Sequence, residues 1–166
     1  MNKLFSNVFK NKTVFLTGHT GFIGSWLTIW LTKLGANVIG YSLKPPSDPS
    51  MFDVLQIKKS IIHIHGDINN KKLLEKKILE HKPNFLFHLA AQSRVQPSFE
   101  SPTETFKVNV EGTKKLFNEI KSITKSIIYI SGLGVYGETG DKIVDENQEY
   151  NPNTNFVKIR LDAEKF

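Results

Sequence analysis

Thr17-Gly18-His19-Thr20-Gly21-Phe22-Ile23-Gly24 places glycines at 18, 21 and 24. A turn without side chains at such positions lets an anionic group reach the backbone N–H groups. A helix that starts there adds its own unpaired N–H groups. The group that needs both is the pyrophosphate of a dinucleotide. The motif carries weight only with a strand before it and an amphipathic helix after it. Thr13-Val14-Phe15-Leu16-Thr17 has the length and composition of a buried strand. Apolar residues then fall at 22, 23, 26, 27, 30, 31 and 34, which is helical spacing, and Gly35 follows as a helix-ending residue.

The second candidate position lies at the end of the next strand, Asn37 to Tyr41. Dinucleotide folds usually place an acidic residue there against the adenosine ribose. Here the residues are Gly40-Tyr41-Ser42-Leu43-Lys44, with no carboxylate. A serine can hydrogen-bond a ribose, and Lys44 can meet a 2′-phosphate. NAD and NADP therefore both remain open.

The rest of the chain supplies elements to position these groups. Lys44 to Pro49, with three prolines, must be a loop. Ile61 to His65 reads as a third strand, about Asn70 to His81 as a lysine-rich helix, and Phe85 to Leu89 as a fourth strand. Ser101-Pro102-Thr103-Glu104 reads as a capping box with proline at the first helical position. Phe106, Val110, Thr113, Phe117 and Ile120 continue that helix. Ser126 to Ser131 reads as a fifth strand, Gly132 to Asn151 as a polar loop, and about Pro152 to Phe166 as the start of a last helix. Apolar strands alternating with helices imply a parallel sheet covered on both faces, a doubly wound α/β domain of Rossmann-like type.

Composition narrows the function classes. The chain has 166 residues and no cysteine, which removes disulfides, thiolate metal sites and a cysteine nucleophile. No apolar run approaches about 18 residues, so no membrane span is expected. The first residues lack the apolar core of a signal peptide, so the cytoplasm is the expected location. The net charge is +6, yet of 22 basic residues only Arg94 and Arg160 are arginine, and the lysines are spread along the chain. Nucleic-acid binders concentrate charge on one face and use arginine forks, so no nucleic-acid partner is expected.

Gly18-x-x-Gly21-Phe22-Ile23-Gly24-Ser25 resembles the extended short-chain dehydrogenase/reductase superfamily, the NAD-dependent epimerases and dehydratases. Gly66-Asp67-Ile68, His88-Leu89-Ala90-Ala91-Gln92 and Asn109-Val110-x-Gly112-Thr113 match it in order and spacing. Gly24-Ser25-Trp26-Leu27 and Gly40-Tyr41-Ser42-Leu43-x-Pro45-Pro46 are similar to CDP-glucose 4,6-dehydratases. Ile23 departs from their usual lysine, and Ser93-Arg94-Val95-Gln96 is closer to the GDP-mannose branch. The resemblance implies a cofactor set of Gly18, Thr20, Gly21, Phe22, Ile23, Gly24, Tyr41, Ser42, Asp67, Ile68, Leu89, Ala90, Ala91 and Arg160. Asp67 would accept from the adenine amine, Ile68 would cover the ring, and Leu89 to Ala91 would run along the cofactor. His88 is expected to pack, and Asn109 to be a structural polar residue. The partners implied are a nucleotide-sugar substrate and a second copy in a homodimer, with no metal.

The family's chemistry rests on Tyr-x-x-x-Lys, a Ser or Thr after the fifth strand, and in dehydratases an acidic pair beside it. A neighbouring cation lowers the tyrosine pKa so that a phenolate takes the sugar hydroxyl proton as hydride leaves. This chain departs at each position. Counting back from Val135-Tyr136-Gly137, Gly132 stands at the hydroxyl, Leu133 at the acid and Gly134 at its partner. Phe156-x-x-x-Arg160 stands at Tyr-x-x-x-Lys. Ser131 substitutes only if the register slips by one residue. Tyr41, Tyr129, Tyr136 and Tyr150 are followed four residues on by Pro45, Leu133, Gly140 and Thr154, so no tyrosine is paired with a lysine. Losing the phenol removes a general acid–base worth about 10²–10⁴-fold. The expectation is the N-terminal, cofactor-binding part of such an enzyme over 1–166, without a substrate domain and without turnover of its own. The alternatives are a non-catalytic dinucleotide-binding protein and a sugar-nucleotide epimerase of the same superfamily. Such dehydratases run to about twice this length, which implies strands missing beyond the fifth and an exposed sheet edge.

Overall fold

The computed structural model describes residues 4–165. Strands β1 (Thr13–Thr17), β2 (Asn37–Ser42), β3 (Ile62–His65), β4 (Phe85–His88) and β5 (Ser126–Tyr129) form one sheet in the order β3-β2-β1-β4-β5. Every pairing is parallel, with Val14 beside Val38 on one side and Phe85 on the other. The strand order reverses between β2 and β4, on either side of β1. In open α/β sheets a crevice forms at that switch point, beyond the carboxyl ends of the strands.

Both faces of the sheet are covered, which is why the strands read as continuously apolar. Val14 and Leu16 point to one face, where they pack with Leu31 of α1 (Phe22–Lys33), Ala36 and Val38. Phe15 points to the other face. It packs there with Ile39, Tyr41 and Leu86, with Leu74 and Ile78 of α3 (Lys71–His81), and with Leu116 and Ile120 of α6 (Thr113–Ile120). Full burial of each such side chain contributes about 1.5–3 kcal/mol. α1 ends as read from sequence: Gly35 has φ +81°, its N–H donates to Thr32 O and the Ala36 N–H to Leu31 O, a Schellman motif. α3 starts on Asn70, whose side chain accepts from Leu73 N.

Several boundaries differ from the sequence reading. β4 ends at His88 and β5 at Tyr129, each earlier than expected, and the last helix, α7, spans Asn155–Glu164. Thr154 caps α7 by accepting from Val157 N. Short helices α2 (Met51–Val54) and α4 (Val95–Glu100) were not legible, because neither is long enough to show a period.

The capping box at Ser101 does not form. Pro102 does open α5 (Pro102–Phe106), but the Ser101 side chain makes no capping bond, and the Glu104 carboxylate pairs with Lys107 Nζ at 3.7 Å. The expected straight run from Phe106 is also interrupted. Lys107–Gly112 is a π-helical turn between α5 and α6, and Phe106 stays 42% exposed. The inward face keeps the expected Val110 and Thr113 and takes Thr105 and Asn109 in place of Phe106. No helix among the described residues is long and apolar enough to cross a membrane.

Candidate functional site

A cleft of about 590 Å³ lies at the carboxyl ends of the strands. Its lining includes Gly18, Thr20, Gly21, Phe22, Ile23, Gly24, Tyr41, Ser42, Asp67, Ile68, Leu89, Ala90, Ala91 and Arg160, so the structure brings every residue of the expected cofactor set together.

The glycine turn is built by close approach. Gly18 has φ +75°, and a Cβ there would lie 2.8 Å from Ala90 N and from Leu89 C. A Cβ on Gly24 would overlap the Gly18 carbonyl oxygen and stand 2.7 Å from His19 Cα. Gly21 is different: it is the N-cap of α1, with φ −75°, and a Cβ there would meet only Gly18 O at 3.4 Å. Gly18 and Gly24 are thus required by packing, whereas Gly21 leaves the helix start open to the cleft. Phe22 and Ile23 stand out from this start as exposed walls. Such a bare, N–H-rich cradle fits a pyrophosphate.

The floor opposite the turn is fixed by a buried chain of hydrogen bonds. Thr113 Oγ1 donates to Asn109 O at 2.7 Å and lies 2.8 Å from His88 Nε2. With its only proton so placed, Thr113 must accept, so His88 carries hydrogen on Nε2. His88 Nδ1 is then an acceptor for the Thr17 hydroxyl at 2.6 Å. Thr17 Oγ1 in turn accepts from Leu89 N and Ala90 N. Burial pushes the His88 pKa down to about 3, which keeps the ring neutral as this chain demands. Asn109 completes the support, accepting from Gln92 N at 2.8 Å and donating to Gln92 O at 3.0 Å. His88 and Asn109 therefore both act as structural groups that hold the Leu89–Gln92 backbone in place.

Tyr41 meets the cleft only from beneath. Its ring is 1% exposed, stacks on Phe15 with centroids 5.9 Å apart, and its Oη donates to Asp67 O. Burial, with Asp67 adding to it, raises its pKa to about 12. Asp67 is exposed at the rim, with Oδ1 accepting from Asn69 N at 2.8 Å. Ile68 is buried beside Gly112, where a Cβ would stand 3.0 Å from Ile68 Cγ2.

The residues expected at the family's catalytic positions lie after β5 and on α7. Arg160 Nη1 donates to Ser131 O at 3.2 Å, and its guanidinium carbon lies 5.2 Å from the Phe156 ring centroid. The Ser131 hydroxyl donates to a Glu164 carboxylate oxygen. Ser131 and Arg160 line the cleft, but Gly132, Leu133, Gly134 and Phe156 do not. A Cβ on Gly132 would stand 3.8 Å from Arg160 Nη1, so a side chain at that position would face the guanidinium. Leu133 is 65% exposed, and a Cβ on Gly134 would press on Val157. Tyr136 stacks on Tyr150 away from the cleft. Sequence reasoning missed Tyr129, the last residue of β5, whose half-buried phenol lines the cleft. Burial raises its pKa, with Arg160 opposing and Glu164 adding to the rise. The available signal was its place at a strand's carboxyl end, where an open α/β sheet puts its ligands.

The comparisons with known proteins agree with this architecture. The model of the family described as GDP-mannose 4,6 dehydratase matches residues 15–157. CDP-glucose 4,6-dehydratase of Salmonella typhimurium is 40% identical over 144 residues, which is 86% of this chain and 38% of that protein. CDP-paratose 2-epimerase of Salmonella typhi is 31% identical, over 74% of this chain and 37% of that one. Among solved structures, UDP-glucose 4-epimerase from Bifidobacterium longum, in complex with NAD+ and UDP, aligns with TM-score 0.82 at 25% identity, over 92% of this chain and 47% of that one. The dTDP-glucose 4,6-dehydratase from Bacillus anthracis, in complex with NAD, aligns with TM-score 0.77 over 93% of this chain and 48% of that one, and at 23% identity it shows the fold alone. The chain thus spans less than half the length of each of these proteins. The glycine turn on a parallel sheet, the family match across residues 15–157 and the relatives in both branches converge: the chain belongs to the GDP-mannose 4,6-dehydratase family, within the NAD-dependent epimerases and dehydratases of the short-chain dehydrogenase/reductase superfamily.

Proposed function

We propose that these residues are the nicotinamide-dinucleotide-binding part of a sugar-nucleotide 4,6-dehydratase, and that they do not by themselves convert CDP-glucose. The observation that carries the reading is the pairing of two ends of one cleft. At one end Gly18, Gly24 and the open start of α1 form a cradle with no side chain in the way. At the other, Arg160 lines the cleft with Phe156 beside its guanidinium, outside the lining, where the family's acid–base pair is expected. A bound nicotinamide supplies reversible hydride acceptance. The sugar hydroxyl proton must then go to a protein base, and Phe156 has none to offer. Arg160 is permanently charged, and its contact with the Ser131 carbonyl makes it an anchor rather than a proton carrier.

The test uses the purified chain. Calorimetric titration with NAD is expected to saturate, whereas no saturation at millimolar NAD would sink the cofactor reading. Incubation with NAD and CDP-glucose is expected to yield no 4-keto product, and turnover at a rate typical of the family would overturn the second half of the proposal. The double variant Phe156→Tyr, Arg160→Lys is expected to remain inactive, because Gly132, Leu133 and Gly134 still lack the hydroxyl and the acidic pair.

A further inference from the structure

His19 stands inside the glycine turn, between Gly18 and Thr20, yet its ring does not line the cleft. The ring is fully buried and lies against β2 at Gly40, where a Cβ would stand 2.5 Å from His19 Cγ and Cδ2. Nε2 lies 2.7 Å from Nδ1 of His63, on β3, the edge strand beyond β2. Among the described residues this is the ring's one side-chain hydrogen bond, and Nδ1 is buried without a partner. Phe52 of α2 closes the group, with its ring centroid 5.3 Å from that of His19 and 5.1 Å from that of His63.

Other bonds tie the turn to its nearest neighbours. Gly18 N donates to Tyr41 O at 3.0 Å, and Ser25 Oγ of α1 donates to His19 O at 3.2 Å. Thr20 Oγ1 lies 2.8 Å from Ser42 Oγ and donates to Leu43 O at 3.1 Å. The His19–His63 bond reaches past β2 and fastens the turn to β3. Both rings are neutral, so one of the two facing nitrogens donates and the other accepts. A buried imidazole deprived of that partner is costly. It cannot turn aside in place, because Gly40 lies against the ring and Phe52 packs on it edge to face. Relief requires the backbone at residue 19 to move, and that backbone is the glycine turn. His63 does not line the cleft, so its effect on a ligand runs through His19.

We propose that His63 is a positioning residue for the glycine turn: by holding the His19 ring it fixes the backbone that receives a dinucleotide's pyrophosphate. This rests on the dinucleotide reading of the cleft. The test is calorimetric titration of the full chain, His63→Leu and His63→Asn with NAD, ADP and adenosine, each protein first shown folded by circular dichroism. His63→Leu is expected to weaken NAD and ADP about fivefold to tenfold. Adenosine has no pyrophosphate to meet the turn and should stay within about twofold. His63→Asn should keep all three ligands within about twofold of the parent, since its amide can donate or accept near the Nδ1 position. His63→Val, equally without a polar group, takes the place of His63→Leu should that variant not fold. Unchanged NAD binding in the apolar variant, an asparagine variant as weak as the apolar one, or an equal loss for adenosine overturns the inference alone. Failure of the parent chain to bind NAD overturns the cofactor reading and the inference together.

Discussion

Gly24→Ala is expected to destabilise the domain by at least about 3 kcal/mol and to abolish dinucleotide binding, because a single methyl here has nowhere to go. The added Cβ would overlap the Gly18 carbonyl oxygen, and it would lie 2.7 Å from His19 Cα and 2.8 Å from Gly18 C. All three neighbours are backbone atoms of the same turn, so no side-chain rotation relieves the overlap. Gly18 cannot retreat either, since its own Cα faces the Leu89–Ala90 backbone that the Thr17 hydroxyl holds. Gly21→Ala is the informative control. Its nearest contact would be 3.4 Å, so stability should change by less than about 1 kcal/mol. Binding should still weaken, because the methyl sits at the open N-terminus of α1. Urea denaturation and NAD titration of both variants decide the matter. A Gly24→Ala protein within about 1 kcal/mol of the parent would refute the packing argument.

Acid should unfold this domain early. His88 is buried and held neutral, with its pKa pushed down to about 3 by burial. His19 lies in the glycine turn, fully buried, with Nε2 2.7 Å from His63 Nδ1. Its pKa is likewise pushed down to about 3, by burial first and by His63 second. Burial, followed by the charge of Lys58, also lowers His63. An unfolded histidine binds its proton near pH 6.5. Above that pH both states are neutral and the full stability is present. Below it the unfolded chain takes up protons that the folded chain refuses, so stability falls as pH drops from about 6.5 toward 3. For His19 and His88 together the loss at pH 5 is about 4 kcal/mol. That is a large share of the roughly 5–15 kcal/mol that a domain has. Urea midpoints taken at stepped pH should give a slope approaching two protons between about pH 4 and 6. A slope below one proton would show that these rings are not held neutral. Because one ring lies in the glycine turn and the other under Leu89–Ala90, dinucleotide binding should be lost over the same range.

The two histidines also mark where sequence reading stops. The turn Gly18 to Gly24 was legible because strand, glycine spacing and amphipathic helix are all local. So were α1, its Gly35 ending, and the alternation that demands a parallel sheet. His88 could be read as a packing residue, but not as the middle of a chain running from Ala90 N through Thr17 and Thr113 to Asn109. Those residues are 70 or more positions apart in part, and only the pairing of β1 with β4 brings them together. The π-helical turn hid in the same way. A sequence period assumes an unbroken helix, so Phe106 was placed inward, where the structure instead buries Thr105 and Asn109 beside the expected Val110 and Thr113. The capping box at Ser101 matched its pattern and still did not form: the Ser101 hydroxyl makes no capping bond, and Glu104 pairs with Lys107.

By itself the sequence determined the family, the fold class, the glycine turn between β1 and α1 and the lack of any Tyr-x-x-x-Lys, since each depends on residue types at short separations. The tertiary structure alone decided which of those residues share a cavity. It set Arg160 on the Ser131 carbonyl, seated the Tyr41 ring on Phe15 beneath the cleft, and gave the end of β2 its Thr20–Ser42–Leu43 hydrogen bonds. The physical reason is that a parallel sheet joins strands distant in the chain, and the groups at their carboxyl ends meet only once register and twist are fixed.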